Sequence, residues 1–279
     1  MSSPKTWLIT GCSTGLGRHL AEFAAKQGDW VYATVRDESQ TDDLEALVPG
    51  RIKALVLDVT DAEAVEEKVA ELIENTEKID VLVNNAGYGS LGPIEFIHDE
   101  EVVRQFDVNV FGLLRMIRAV LPSMRNHRSG HIINISSVAG IYASPGMGVY
   151  NGSKYAVEGI GHALALEVGH LGIHVTNVEP GPFRTDWAGR SATYTLPATE
   201  DYDASTVKQL QFLQKISGSQ KGSPEKAAEA IFALTRLEKP PVQIPLGAFA
   251  YGRMRQKAAE MLAEIDAFEH IGLPTDFEE

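Results

Sequence analysis

The sequence is poor in cysteine, in basic clusters and in long apolar runs. Cys12 is the one cysteine in 279 residues, so no internal disulfide can form. A reducing, cytoplasmic setting is expected for such a chain. Lys and Arg number 25 against 38 Asp and Glu, a net charge of −13. The basic residues form no cluster, so nucleic acid and anionic membranes are not expected as partners. No apolar run approaches the roughly 18 residues of a membrane span. A strand-like stretch begins by Thr6, which leaves no room for a signal peptide. The 8 histidines stand at no ligand spacing beside Cys or paired carboxylates, and no metal site is expected. Internal repeats and low-complexity tracts are absent.

What is present is a large core's worth of apolar residues, 44% of the chain. One domain spanning 1–279 is expected. Its first two thirds alternate strand and helix. Strands are read at 7–9, 30–35, 51–57, 79–83, 131–135 and 174–178, with a seventh at 242–244. Helices are read at 18–27, 62–75, 100–126 and 224–237, with Ser223 as N-cap of the last, and at 253–270. Pro122 should kink or end the helix at 100–126. Continuous apolar strands separated by helices imply a parallel sheet covered on both faces. The fold class expected is therefore α/β, a doubly wound, Rossmann-type sheet of seven strands. The stretch 182–222 is irregular and reads as a lid; 250–279 reads as a helical tail.

Two motifs carry chemistry. Gly11, Gly15 and Gly17 lie between the first strand and the first helix, where absent side chains permit a tight turn and close approach of a pyrophosphate. Glycines there can also be a plain turn. Tyr150 and Lys154 fall one helical turn apart on one face. A phenol ionises near a pKa of roughly 10, and a cation held one turn away favours the phenolate. The pair thus supplies a tunable proton donor and acceptor. Taken alone, the same spacing also describes an ordinary surface pair.

Thr10-Gly11-x-x-x-Gly15-x-Gly17, Asn84-Asn85-Ala86-Gly87, Ser137, Tyr150-x-x-x-Lys154 and Pro180-Gly181 occur in the order found in the short-chain dehydrogenase/reductase family. Residues 5–185 resemble that family. Gly11-Cys12-Ser13-Thr14-Gly15 and Tyr32-Ala33-Thr34-Val35-Arg36-Asp37 resemble its 17β-hydroxysteroid and retinol reductase branch. The resemblance implies Tyr150 as general acid/base and Lys154 as the residue that lowers its pKa and holds the nicotinamide ribose. It implies Ser137 as hydrogen-bond partner of the substrate carbonyl oxygen, and Asn109 as holder of a relay water. A strand-end cap and a buried, backbone-satisfied amide are the structural alternatives for those last two.

The cofactor positions implied are Thr10, Gly11, Ser13, Thr14, Gly15, Leu16 and Gly17 in the first loop, with Asp58 and Val59 flanking the adenine. Asn84, Asn85, Ala86 and Gly87 would pass close to it, Tyr150 and Lys154 would touch it, and Pro180, Gly181 and Thr185 would meet the nicotinamide end. An NAD site places an acid at the end of the second strand. Here Val35 stands there and Arg36 follows, which suits a 2′-phosphate. NADP(H) is preferred on this reading and NAD(H) is the alternative; Arg36 as a solvated loop charge competes with both.

The activity implied is hydride transfer between nicotinamide and a ketone or secondary alcohol. Aromatic and aliphatic residues of the lid (Phe183, Trp187, Tyr194, Leu196, Tyr202, Leu210, Phe212 and Leu213), facing Tyr142, Met147 and Val149, point to a bulky apolar substrate. Packing of the lid on the core is the competing use of those residues. Two other functions compete: a cofactor-binding regulator without turnover, and a sugar-nucleotide epimerase or dehydratase. The first usually lacks the tyrosine or lysine, and the second spaces its glycines differently. Excess apolar surface on 100–126 and 151–169 implies a homodimer or homotetramer.

Overall fold

A computed structural model of the chain describes residues 3–277. Its strands are β1 (Thr6–Ile9), β2 (Trp30–Val35), β3 (Ile52–Val56), β4 (Val81–Asn84), β5 (Gly89–Leu91), β6 (Gly130–Ile135), β7 (Ile173–Pro180), β8 (Ala192–Tyr194) and β9 (Gln243–Leu246). Seven of them form one sheet in the order β3-β2-β1-β4-β6-β7-β9, every pairing parallel. Side chains alternate across it with period two. Trp7 and Ile9 enter one apolar cluster, and Leu8 between them enters the other. Both faces are therefore covered, as the continuous apolar strands require.

The helices are α1 (Gly15–Lys26), α2 (Thr41–Glu45), α3 (Ala62–Thr76), α4 (Asp99–Phe106), α5 (Leu113–His127), α6 (Gly148–Val168), α7 (Lys208–Ile216), α8 (Pro224–Leu234) and α9 (Ala248–Gly272). Leu20, Ala21, Ala24 and Ala25 of α1 join Ala227, Ala228 and Ile231 of α8 over one face. Residues of α3, α5 and α6 cover the other. Ser223 caps α8 by accepting from the Lys226 amide at 3.2 Å, with Pro224 at the first position, as expected. Because strand order reverses between β1 and β4, a crevice opens at the carboxyl ends of the strands. The loops at 10–17, 84–88, 136–137 and 180–185 all leave those ends.

Four features differ from the sequence reading. The helix expected at 100–126 is interrupted by a π turn at Asp107–Gly112, and it continues past Pro122 to His127. The stretch 182–222 is more regular than expected: β8 pairs in parallel with β5, α7 follows, and Phe183 bridges Gly222 to bring the two ends together. Several element ends move by one to three residues; β7, for example, continues to Pro180 because Asn177–Pro180 pairs with β9. The last helix is longer than 253–270, running from Ala248, and beyond Lys257 every described residue is exposed.

Candidate active site

The first loop is built for close backbone approach. Gly11 and Gly15 have φ of +70° and +63°, values that a side chain resists. A Cβ on Gly11 would stand 2.9 Å from the Ala86 Cα. Gly17 has another reason: a Cβ there would fall 2.7 Å from the Gly11 carbonyl oxygen and collide with Asn85, so it permits the loop to pack on itself. The Thr10 hydroxyl accepts from the Asn85 and Ala86 amides at 3.0 Å, and Asn85 Nδ2 donates back to the Thr10 and Gly11 carbonyls at 2.8 and 2.9 Å. Thr10, Asn85 and Ala86 thus lock the two loops together. Thr14, the N-cap of α1, makes no capping bond, and the first turn that includes Leu16 carries no acid. Its amide donors suit an anion. Half-buried Ser13 lies in the same loop, and Gly15 faces Thr185 across the crevice, 3.7 Å from a Cβ placed on it.

Arg36 is exposed and makes no hydrogen bond or ion pair among the described residues. Asp37 is engaged elsewhere, accepting from the Ser39 amide at 2.9 Å and hydroxyl at 2.7 Å. Asp58 is likewise held by Thr60 at 2.8 and 2.9 Å. Val59 is buried, its side chain against Gly112 rather than open to a ligand. Asn84 turns into the sheet, donating to Asn134 Oδ1 at 3.0 Å. Pro180 ends β7 and Gly181 follows it, its amide donating to the Leu246 carbonyl at 3.0 Å. The residues present fit a dinucleotide: a positive-φ cradle, an uncapped helix start and an unengaged guanidinium.

Tyr150 and Lys154 lie on one face of α6, both buried. Lys154 Nζ donates to the Ile135 carbonyl at 2.8 Å and sits 5.9 Å from the Tyr150 ring centre. Ser137 lies within hydrogen-bond reach of the phenol, which favours the phenolate. Burial outweighs that and pushes Tyr150 up to about 12. Burial also pulls Lys154 down to about 8, against the pull of Glu158. The lysine was expected to lower the tyrosine's pKa, but desolvation dominates here and the phenol stays protonated at neutral pH. Gly87 connects the nucleotide loop to this pair, since a Cβ on it would lie 3.1 Å from Asn109 Oδ1 and 3.7 Å from Lys154 Nζ.

Asn109 sits in the π turn, where an extra residue redirects side chains. Its amide donates to the Tyr88 carbonyl at 2.9 Å and Ser153 at 3.1 Å, and its Oδ1 accepts from the Tyr88 amide at 3.0 Å. Only one Oδ1 lone pair is left for a water. The geometry makes Asn109 a residue that positions the loop after β4.

The short chain dehydrogenase family matches residues 5–194. The chain belongs to that family. It is 39% identical over 246 residues to 3-ketodihydrosphingosine reductase of Bacteroides thetaiotaomicron, covering 88% of each chain. It is 35% identical over 248 residues to human 17-beta-hydroxysteroid dehydrogenase type 1, 84% of this chain and 74% of that one. A solved short-chain dehydrogenase from Streptomyces avermitilis superposes with a TM-score of 0.92 at 38% identity, over 99% of this chain and all 100% of that one. Serine dehydrogenase, solved with NADP+, has a TM-score of 0.74 at 27% identity over 86% and 94% of the two chains. The oxidoreductase family, its Rossmann-type sheet and a nicotinamide cofactor follow.

In this member of the family the 182–222 stretch packs directly on Tyr150. Trp187 lies 4.9 Å from Tyr150, ring centre to ring centre, and Tyr150 is only 5% exposed. Tyr194, Leu210 and Leu213 join them with Met147. Phe183 packs on the main core, Tyr202 stacks edgewise on Phe96, and Leu196 and Phe212 are exposed. The expected single apolar wall is therefore divided: part faces Tyr150, part anchors the lid, part faces solvent.

Sequence reasoning missed the layer behind Lys154. Glu158, one turn further along α6, is buried and accepts from Asn177 Nδ2 at 2.8 Å. Glu179, fully buried on β7, hydrogen-bonds to it, and both carboxyls are pushed up by burial. Counted as a carboxylate, Glu158 Oε1 has no donor; one shared proton joins it to a Glu179 oxygen, and the Gln243 side chain lies within hydrogen-bond reach of Glu179. The spacing Lys154–Glu158 is visible in sequence, but Glu179 comes from another strand.

Glu179 is pushed up to about 9, against about 4.3 unfolded. The fold therefore holds a proton that the unfolded chain releases, so stability from the neutral acid is complete below the usual carboxylate range and is lost as pH rises toward 9. Lys154 and His162 on α6 are the basic side chains near the pair. Glu179→Gln is expected to raise the melting temperature, the gain growing by at least ~4 °C from pH 5.5 to 8.5, since about 1 kcal/mol moves a large domain ~2–4 °C. Thermal unfolding across that range measures it. A gain that is flat or shrinks with pH would contradict the shared proton.

Proposed function

We propose that this chain is an NADP(H)-dependent oxidoreductase acting between ketones and secondary alcohols, with bulky apolar compounds preferred. The observation that carries the reading is the meeting of half-buried Ser137 with buried Tyr150 and Lys154 beside the glycine loop, with Trp187 lying over Tyr150. Gly11, Gly15, the start of α1 and Thr185 would hold the cofactor along the crevice, and Arg36 its 2′-phosphate. When bound, the nicotinamide supplies or accepts the hydride. Tyr150, protonated at neutral pH, gives its proton to the carbonyl oxygen as charge develops there. Ser137 donates a hydrogen bond to the same oxygen. The Lys154 cation offsets the phenolate left behind. In the oxidative direction Tyr150 must first lose its proton, so alcohol oxidation rises with pH where ketone reduction falls. Trp187 must move for substrate to enter, and its return excludes water.

The 3-keto and hydroxysteroid compounds in the relatives' names support the apolar substrate class, as do Trp187, Tyr194 and Leu210 around Tyr150. An aryl or polycyclic ketone is expected to exceed a small polar ketone of equal intrinsic reactivity at least tenfold in kcat/KM, at about 0.8 kcal/mol for each extra buried methylene. NADPH absorbance reads both. Equal or reversed values would mean that the lid's aromatics serve only to pack the lid. Exposed Phe111 in the π turn before α5, with Tyr155 and Leu166 on α6, supports assembly through this side of the chain. Light scattering at micromolar concentration should show more than a 30.4 kDa species.

A further inference from the structure

Helix α9 starts fixed to the rim of the site and then leaves the body. Gly247 turns the chain with φ +83°, and Ala250 is fully buried, its amide 3.4 Å from a Cβ placed on Gly181. Arg253 lies over the Tyr142 and Phe249 rings at 4.7 and 5.3 Å. From residue 258 onward every described residue is exposed, including Met261, Leu262, Ile265, Phe268, Ile271 and Leu273, each 49–66% accessible. An isolated helix of this kind is marginal in water, and most helical stability comes from covering an apolar face.

The uncovered face has a pattern. Tyr251, Met254, Ala258, Met261, Ile265 and Phe268 recur at alternating steps of three and four, the spacing of a coiled-coil seam. The charges have one too. Arg253, Arg255 and Lys257 occupy the first half of α9; Glu260, Glu264, Asp266 and Glu269 occupy the second. None of them forms an ion pair among the described residues. A helix basic at one end and acidic at the other complements itself when antiparallel and repels itself when parallel. Interfacial membrane helices instead carry Lys and Arg along the polar face, whereas acids flank the apolar half here.

We propose that α9 docks against α9 of a second copy of this chain, antiparallel. In that register Tyr251 meets the second copy's Phe268, Met254 its Ile265, and Ala258 its Met261, with Lys257 near its Glu264. This contact is separate from the α5–α6 surface and from catalysis.

The test uses the full chain in analytical ultracentrifugation. Ile265→Lys with Phe268→Glu should weaken one association step at least tenfold while kcat/KM for the preferred ketone is kept. Lys257→Glu and Glu264→Lys should each weaken it, and the two together should restore it, which a merely structural role would not produce. Because Cys12 is buried, Ala258→Cys with Met261→Cys should give a disulfide-linked dimer under mild oxidation, and Ala263→Cys on the opposite face should not. An association step unchanged by Ile265→Lys with Phe268→Glu, or a monomeric parent, would overturn the proposal. So would flotation of the parent with phosphatidylcholine–phosphatidylserine vesicles that these substitutions abolish, which would assign the face to a membrane. A parent chain that associates in this way but does not turn over the ketone would count against the reading of the site and not against this contact.

Discussion

Tyr150→Phe is expected to reduce turnover by at least about 10²-fold, the usual contribution of a positioned general acid. The substitution removes one oxygen and keeps the ring that Trp187 covers at 4.9 Å. The packing of Met147, Leu210 and Tyr194 around that ring should survive, and cofactor affinity should change little. The pH profile separates loss of the proton donor from general damage. In the parent, ketone reduction should hold through neutrality and decline in the alkaline range, because burial pushes the phenol up to about 12 and Lys154 down to about 8. The variant's residual rate should keep the decline set by Lys154, because the Tyr150 phenol stays protonated across the range measured. Steady-state kinetics from pH 6 to 10, with cofactor titration by fluorescence, provide both readings. Turnover within a few-fold of the parent would remove Tyr150 from the reaction.

Arg36→Ala is expected to weaken NADPH binding about 10- to 100-fold while leaving NADH within about threefold, since a hydrogen bond to a charged group contributes roughly 1.5–3 kcal/mol. Neither chain neighbour of Arg36 competes for a 2′-phosphate. Val35 is buried at 2% exposure and offers no acid. Asp37 is occupied by Ser39. Arg36 is exposed with no partner among the described residues, so forming a phosphate contact breaks nothing in the chain. Val35→Asp should act in the same direction by repelling the phosphate. Isothermal titration with each cofactor decides it. Equal losses for NADPH and NADH would show that Arg36 does not reach a 2′-phosphate.

The sequence by itself determined the sheet, because its signals are local. Trp7-Leu8-Ile9 and Val81-Leu82-Val83 are continuous apolar runs, and only a strand covered on both faces accommodates them. It determined the crevice too, since Gly11 and Gly15 need a backbone conformation that few other residues adopt. The pairing of Tyr150 with Lys154 is fixed by helical spacing alone.

Tertiary structure decided what depends on groups distant in the chain. The π turn that aims Asn109 at Tyr88 and Ser153 leaves no local mark, because it arises from packing between α4–α5 and α6. The direction of the Tyr150 shift reversed because burial dominates, and the cluster that buries the ring includes Leu91, Trp187, Tyr194 and Leu210, all distant in the chain. Glu179 meets Glu158 only because β7 lies beneath α6. The 182–222 stretch looked irregular because β8 is three residues long and finds its partner in β5, a hundred residues earlier. The apolar residues of α9 were legible as amphipathic, but that they face solvent rather than the body was decided by where Gly247 and Ala250 direct the helix.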